Sequence, residues 1–423
     1  MKVVHINANR GDGAALCALR ISHALKSKGV DTSFIVSNGV STDVFTVAQP
    51  DKIFWNSNRF LRCFKKLLLK LNLRNDEEQL RHELRIAEEK SHEHVYSHLP
   101  LTSFKNLSHH PLIKEADIVH LHWVSGFVDY PSFFKEVKKP IVWTLHDKYP
   151  AVGLLHYCSK FFPIPEALKP IDKKCRDIKR NAIKDLKNLR IVAISDQMMT
   201  ICNQSDVLHG LPTTLIHNGV DTNIFSPIDK ENARKELGLP INGEDGNKYT
   251  IFMVCGFDLF GKNKGVHRVI KALEEVKATN KMLVCVGLIP NPQPVIQTSF
   301  PIRFFGRVVD TNLLSTIYSA IDFYIQASYE ETFAQTPLEA MSCGKPVIST
   351  PCSGASEIIH SYNGVLCDGY DPEDLSNGIQ KAVDKNLVTP YSSKEIREGI
   401  QKEFSYENIA EQYLLLYKEV LKK

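Results

Sequence analysis

No stretch of this chain approaches the roughly 18 to 20 consecutive apolar residues of a spanning helix, so no helical membrane anchor is expected. The start, MKVVHINANRGDG, turns polar too early for a signal peptide. The ten cysteines form no Cys-x-x-Cys and no metal-like cluster; without a secretion signal they read as reduced thiols, mostly in cores. Charge of one sign is also scarce: 52 Lys and Arg against 48 Asp and Glu leave +4, too little to point to nucleic acid. There is no fixed-period repeat and no low-complexity tract. What remains is an ordinary globular composition, 43% hydrophobic and 24% charged, which excludes collagen-like and disordered chains. At 423 residues it outgrows one hydrophobic core. A soluble, cytoplasmic protein of two or three domains is expected.

Short apolar runs alternate with helix-period segments, the rhythm of parallel β/α units. Strands are expected at Lys2–Ile6, Thr32–Ser37, Asp117–His122, Pro140–Leu145 and Arg190–Ile194. A second series begins at Tyr249–Cys255 and continues through Met282–Val286, Ile302–Phe305, Phe323–Gln326 and Pro346–Ser349. Helices are expected over Ala14–Lys28, closed by Gly29, and over Gly265–Val276, whose apolar residues fall at helical spacing. Between the series, residues 227–248 hold a short charged helix, Pro240 and the loop NGEDGN, which reads as a linker. The expected architecture is two doubly wound α/β domains, 1–226 and 249–405, with a cleft between them.

Residues 51–110 break this rhythm. RFLRCFKKLLLKLNLR (59–74) places Phe60, Leu61, Phe64, Leu67, Leu68 and Leu71 on one stripe and basic residues elsewhere. Such a stretch suits an anionic membrane surface, or packs on its own domain with a solvated basic face. The acidic run that follows reads as a solvated helix face.

In open α/β sheets ligands bind beyond the carboxyl ends of strands. After the first strand, Gly11 and Gly13 begin a GxGxxG-like turn, but Leu16 occupies the third glycine position; a phosphate loop and a plain tight turn both fit. His146 follows the Pro140–Leu145 strand and is either a hydroxyl-binding group or a capping histidine. His120 and His122 share a strand face, a metal pair lacking a third ligand or a packed pair, with packing preferred. Asn218-Gly219 reads as a turn needing φ > 0 where the chain crosses between domains.

The most informative segment is EETFAQTPLEAM, 330–341. Thr336 as N-cap with Pro337 at the first helical position would start a helix whose N-terminus suits a diphosphate. Glu339 then either closes a T-x-x-E capping box or, with Glu331, grips ligand hydroxyls. A hydrogen bond to such a carboxylate contributes roughly 1.5–3 kcal/mol.

Taken in order, GDGAALCALRISHALKSKGV, DIVHLHW, PIVWTLHDKYP, IHNGVDTNIF, KNKGVHRVIKAL, SYEETFAQTPLEAMSCGKPVIST and CSGASEIIHSYNGVLCDGYDPEDL resemble family 4 glycosyltransferases of the GT-B fold over nearly the whole length. The Glu-x7-Glu pair, Glu331 and Glu339, is the specific element. The HLHW and TLHD wording is closest to bacterial exopolysaccharide, capsule and O-antigen enzymes. The resemblance implies two Rossmann-like domains facing each other across a cleft, 1–226 on the acceptor side and 249–405 binding the nucleotide-sugar donor, with the last helix, 406–423, returning to the first. It implies transfer of a sugar from a nucleotide-diphosphate donor, UDP or GDP, to a hydroxyl of a growing, lipid-linked glycan, with retention and without a metal or cofactor. No Asp-x-Asp occurs, in keeping with that.

The resemblance also implies roles. Glu339 holds the donor ribose and Glu331 faces the sugar. The loop of Thr332, Phe333 and Ala334 offers backbone amides. Lys264 neutralises the diphosphate, His146 lies beside the donor sugar, and Gly13 lets the phosphate-side loop close. Gly306 and Arg307 cradle the base, and Asn218 belongs to the donor side. Two departures stand out: Phe257 follows Gly256 where the family usually has Arg, with Lys262 as the substitute cation, and Ala334 replaces a Gly. A sugar-nucleotide epimerase and a non-catalytic sugar-nucleotide-binding partner in a polysaccharide assembly are the alternatives. A nucleic-acid partner is not expected; the cytoplasmic face of the inner membrane, through 59–74, is.

Overall fold

The structure, a computed structural model, describes residues 1–11, 13–50, 76–91, 95–385 and 387–422. The basic stretch 59–74 lies outside the described residues. The chain divides into two units, Met1–Ile216 with Ala410–Lys423, and His217–Ile409.

The first unit is built on a seven-stranded sheet of β1 (Lys2–Ile6), β2 (Asp31–Val36), β3 (Thr46–Val47), β4 (Ile118–Leu121), β5 (Ile141–Leu145), β6 (Leu189–Ala193) and β7 (Thr213–Leu215), in the order β3-β2-β1-β4-β5-β6-β7. Neighbouring strands are parallel, and β1, β4 and β5 are buried almost throughout, as strands covered on both faces must be. Trp143 anchors the core, its ring 5.7 Å from Tyr130 and 5.6 Å from Phe134. Register sets His5 of β1 beside His120 of β4. Within Ala410–Lys423, Tyr413 bonds Thr144 at 2.8 Å and Tyr417 bonds His120 at 2.6 Å.

The second unit carries six parallel strands, β8 (Thr250–Cys255), β9 (Lys281–Val286), β10 (Ile302–Gly306), β11 (Phe323–Gln326), β12 (Val347–Ser349) and β13 (Gly364–Leu366), ordered β10-β9-β8-β11-β12-β13. In each sheet the order reverses beside its first strand, between β1 and β4 and between β8 and β11. These are the places where an open sheet leaves a crevice at its carboxyl edge.

The boundary falls ten residues before the expected 226, and 227–248 is not a free linker. Its helix, Lys230–Leu237, is fastened to the second unit. Arg234, 2% exposed, donates to Asp322 at 2.6 Å and to the carbonyls of Ala320 and Tyr249. Lys230 reaches the other Asp322 oxygen at 2.8 Å, and the Ile251 amide donates to the first. Removing one partner of a buried pair strands the other. Arg234→Met is therefore expected to lower the second unit's unfolding free energy by about 3–5 kcal/mol, read as a fallen urea midpoint at unchanged slope. A loss below 1 kcal/mol would mean that Asp322 finds replacement donors.

Candidate functional site

At the reversal in the second sheet, the loop after β8 meets the loop after β11. The first, Gly256–Gly265, ends on a residue that must be glycine: Gly265 has φ +69°, and a Cβ there would lie 2.9 Å from the Ala327 carbonyl oxygen. The helix Val266–Glu275 starts from it, leaving Lys264 one residue before the helix cap. Asn263 joins the two loops, donating to the Glu330 carbonyl and accepting from the Glu330 amide, both at 2.9 Å, while its own carbonyl accepts from the Tyr329 amide. Sequence reading passed over Asn263; its only signal is its place between two lysines in KNKG.

That lacing sets Lys264 Nζ 2.5 Å from Glu331 Oε1. The same oxygen accepts from Ser328 at 2.6 Å and from Gln326 at 3.1 Å. Gln326 ends β11, so the carboxylate is held by the strand end as well as by the lysine. Both charged side chains keep some solvent contact, 24% for Lys264 and 17% for Glu331. They are accessible to a ligand able to exchange partners with them.

The helix Gln335–Ser342 begins otherwise than expected. Its N-cap is Ala334, with no side-chain cap, and Thr336 lies inside the helix with its hydroxyl bonded to Tyr324 at 2.7 Å. The capping-box reading of Glu339 falls with this. Its buried carboxylate instead accepts from Tyr318 at 3.2 Å. The first turn thus presents N–H groups that no side chain caps, and the partial positive end of the helix. Gln335 stands there with both side-chain polar atoms buried and without a hydrogen-bond partner, an expensive arrangement unless a ligand supplies them. Ala334 has φ −80°, which any residue adopts, so replacing Gly there costs no backbone strain. The glycine this loop does require is Gly354, where a Cβ would come within 2.5 Å of Phe333 Cα.

Other expected residues lie around this edge or apart from it. Phe333 is buried and stacks on His217, ring centres 5.3 Å apart. Thr332 is half-buried beside it. Gly306 ends β10 with φ +69°, its carbonyl accepting from the Gly287 amide. Phe257 is 65% exposed, and the cation over its ring is Arg307, 5.4 Å from the centroid. Lys262 is exposed on the β8 loop. Asn218 is buried, with Oδ1 lacking a partner. The expected φ > 0 at Gly219 is not found. Space is tight there instead: a Cβ would lie 3.0 Å from the Ile409 and Tyr406 side chains, which would have to give way.

In the first unit His146 closes a chain of rings. Its Nε2 is 3.1 Å from His122 Nδ1, and His122 Nε2 is 2.9 Å from His5 Nδ1. His5 Nε2 has no partner. A buried unpaired lone pair costs less than an unpaired N–H; protons therefore sit on Nδ1 of all three rings. Burial pushes His5 down to about 3, helped by Lys26, and His146 down to about 4 against the opposing pull of Asp147. His5 is the third histidine that the sequence pattern lacked beside His120 and His122. Yet His120 spends both nitrogens on Tyr417 and Thr144, and His122 both on His5 and His146. Gly13 opens the helix Gly13–Ser27, and a side chain there would meet open space.

Residues 248–385, which contain the Lys264 and Glu331 loops, match the model of "Glycosyl transferases group 1". The chain has the GT-B fold. It superposes over its full length on sucrose-phosphate synthase from Thermosynechococcus elongatus, TM-score 0.70 at 18% identity, covering 99% of that chain. Anabaena HepE in complex with UDP matches 99% of this chain and all of its own, TM-score 0.63 at 18% identity. In sequence, alpha-maltose-1-phosphate synthase of Mycolicibacterium smegmatis is 25% identical over 256 residues, 54% of this chain and 63% of the relative. This chain thus spans less than two thirds of that relative's length. These likenesses range over several sugar chemistries and do not single out surface-polysaccharide enzymes. In this GT-B chain, the group 1 match falls on the unit that pairs Lys264 with Glu331.

Proposed function

We propose that the protein is a retaining, metal-independent glycosyltransferase. It moves a sugar from a nucleoside-diphosphate donor, UDP-linked before GDP-linked, to a hydroxyl of a growing lipid-linked glycan in surface polysaccharide synthesis. The observation that carries the reading is the Lys264–Glu331 pair set against the uncapped N-terminus of helix Gln335–Ser342. When the bond from the sugar's anomeric carbon to the diphosphate breaks, negative charge grows on the leaving oxygen. A cation and free amide dipoles already in place stabilise it without reorganisation. Donor binding exchanges partners: phosphate takes Lys264, and sugar hydroxyls take Glu331, which Ser328 and Gln326 keep in position. Glu339, held by Tyr318, takes the ribose hydroxyls.

The rest of the donor site belongs to the same proposal. Thr332, Phe333 and Ala334 supply backbone, Gly306 and Arg307 bound the base, and Lys262 or Arg307 replaces the cation missing at Phe257. Asn218 and Gln335 offer the polar atoms that lack partners. For the first unit, His146 and Gly13 keep the roles that the resemblance assigns. Nucleotide release from UDP- and GDP-sugars tests the reading: Glu331→Ala and Glu339→Ala should each slow it at least tenfold. Wild-type rates in both would remove the assignment. An epimerase would convert donor with no acceptor present, and a non-catalytic partner would bind nucleotide without turnover.

The stretch 59–74 is proposed to bring the protein to an anionic bilayer at the cytoplasmic face of the inner membrane. Surface attraction of about 1 kcal/mol per basic residue predicts that changing Lys65, Lys66 and Lys70 to Glu cuts binding to phosphatidylglycerol vesicles more than tenfold. Unchanged sedimentation with vesicles would sink the idea.

A further inference from the structure

The chain of rings that His146 closes runs in one direction only, and an atom at its far end sets that direction. His5 Nε2 is fully buried and has no hydrogen-bond partner. Were the chain reversed, with His146 donating to His122 and His122 to His5, the proton of a neutral His5 would be stranded on that nitrogen. An unpaired buried N–H costs more than an unpaired lone pair. His5 Nδ1 therefore donates to His122 Nε2 at 2.9 Å, and His122 Nδ1 donates to His146 Nε2 at 3.1 Å. Burial keeps all three rings uncharged near neutral pH.

Packing holds the rings in this order. His5 stacks on Phe34, ring centres 4.9 Å apart, and on His122 at 5.2 Å. His122 is fastened at its backbone: its amide donates to the Ile6 carbonyl, and its carbonyl accepts from the Trp143 indole at 3.1 Å. The His120 ring, held by Tyr417 and Thr144, lies 4.1 Å from that of His122.

A neutral His146 that accepts at Nε2 carries its proton on Nδ1. Among the described residues, His122 is the one hydrogen-bond partner of the His146 ring, so this second nitrogen is uncommitted. Asp147, next in sequence, spends its carboxylate on the Trp123 indole at 2.6 Å, His156 Nδ1 at 2.5 Å and the Tyr149 amide. His146 is half-buried and directly follows β5, at the edge where an open sheet takes its ligand.

We propose that His122 is a positioning residue: oriented by His5, it fixes His146 as a neutral hydrogen-bond donor through Nδ1, so that His146 recognises an oxygen lone pair of the substrate. The reversed chain would leave a bare nitrogen there and select the opposite, a hydroxyl hydrogen. A sugar hydroxyl offers both, and the histidine chain decides which is used. The inference deepens the glycosyltransferase reading and rests on it only for naming that oxygen a sugar oxygen.

The test uses full-length protein carrying nitrogen-15-labelled histidine. Long-range proton–nitrogen NMR near neutral pH shows which nitrogen of each ring is protonated, and His146→Gln identifies the His146 signals by their loss. In the wild type, His5, His122 and His146 should all be protonated on Nδ1 and bare on Nε2. His122→Phe keeps a ring but removes the donor, and should return the His146 proton wholly or in part to Nε2. His122→Met is measured in parallel in case His122→Phe does not fold. His122→Asn, whose amide N–H takes the place of Nδ1–H, should restore the wild-type pattern. Nucleotide release from UDP- and GDP-sugars should follow the tautomer, with kcat/KM at least tenfold lower in His122→Phe and within threefold of wild type in His122→Asn. Loss of stability alone would lower activity without moving the proton. Wild-type His146 protonated on Nε2 would overturn the proposal. So would an unchanged His146 tautomer, or a kcat/KM within twofold of wild type, in His122→Phe or His122→Met. If the wild type turns over no donor, the glycosyltransferase reading falls, while the three tautomers still decide the histidine chain.

Discussion

Lys264→Met should reduce nucleotide release from the donor by about 10²–10³ in kcat, the loss seen when one preorganised charge-stabilising donor is removed. The magnitude follows from where Lys264 sits. It stands one residue before the cap of helix Val266–Glu275 and 2.5 Å from Glu331, in a loop that Asn263 ties to the backbone at Glu330. Its ammonium is thus placed before the donor arrives. In the variant, Ser328 and Gln326 still hold Glu331, so the lost rate reflects the lysine rather than collapse of the loop. Because the two side chains share a bond, Lys264→Met with Glu331→Gln should cost less than the sum of the single changes. A kcat within threefold of wild type would take Lys264 out of the leaving-group role.

Acidification should unfold the first unit well before neutral-pH behaviour would suggest. His5 is held uncharged in the fold, down to about 3, against 6.5 for the ordinary group. The unfolded chain therefore binds more protons below pH 6.5. The stabilisation is complete above 6.5 and drains away as pH falls toward 3, at about 1.4 kcal/mol per pH unit for each such histidine. His5 alone is worth on the order of 5 kcal/mol over that window. His120 and His122, also lowered by burial, and His146, down to about 4, add to the slope. Trp123 and Trp143 both belong to this unit, which makes tryptophan fluorescence a suitable probe. The urea midpoint should fall steeply between pH 7 and pH 5, and His5→Phe should flatten the fall. A midpoint independent of pH over that range would contradict the neutral-histidine network.

The sheets were largely legible in the sequence. Lys2–Ile6 and Phe323–Gln326 appear with the expected bounds, and the other expected strands differ by one residue at one end or at both. Buried parallel strands announce themselves as continuous apolar runs. The edge strands β3, β7 and β13 were missed because two or three residues carry no periodicity. The Glu331 and Lys264 loops were legible through residue type and order, but not their meeting, which depends on β8 and β11 being neighbours. The start of helix Gln335–Ser342 was misplaced by a persuasive local rule: Thr-Pro favours a cap, yet Tyr324 takes the Thr336 hydroxyl. His5 escaped notice because its partners are 115 and 117 residues away, and only strand register brings them together. The unit boundary was set too late because a charged helix looked solvated, whereas Arg234 is buried against Asp322.

The most direct measurement is a thermal-shift panel of UDP, GDP, ADP and their sugar conjugates, run on the wild type and on Glu339→Ala. A ligand at a hundred times its dissociation constant stabilises a fold by about 2.7 kcal/mol, a clear rise in melting temperature. One nucleotide, UDP first, is expected to stand out in the wild type, with its shift reduced in Glu339→Ala. No shift from any nucleotide, or an equal shift in the variant, would contradict a donor site built from Glu331, Glu339 and Lys264.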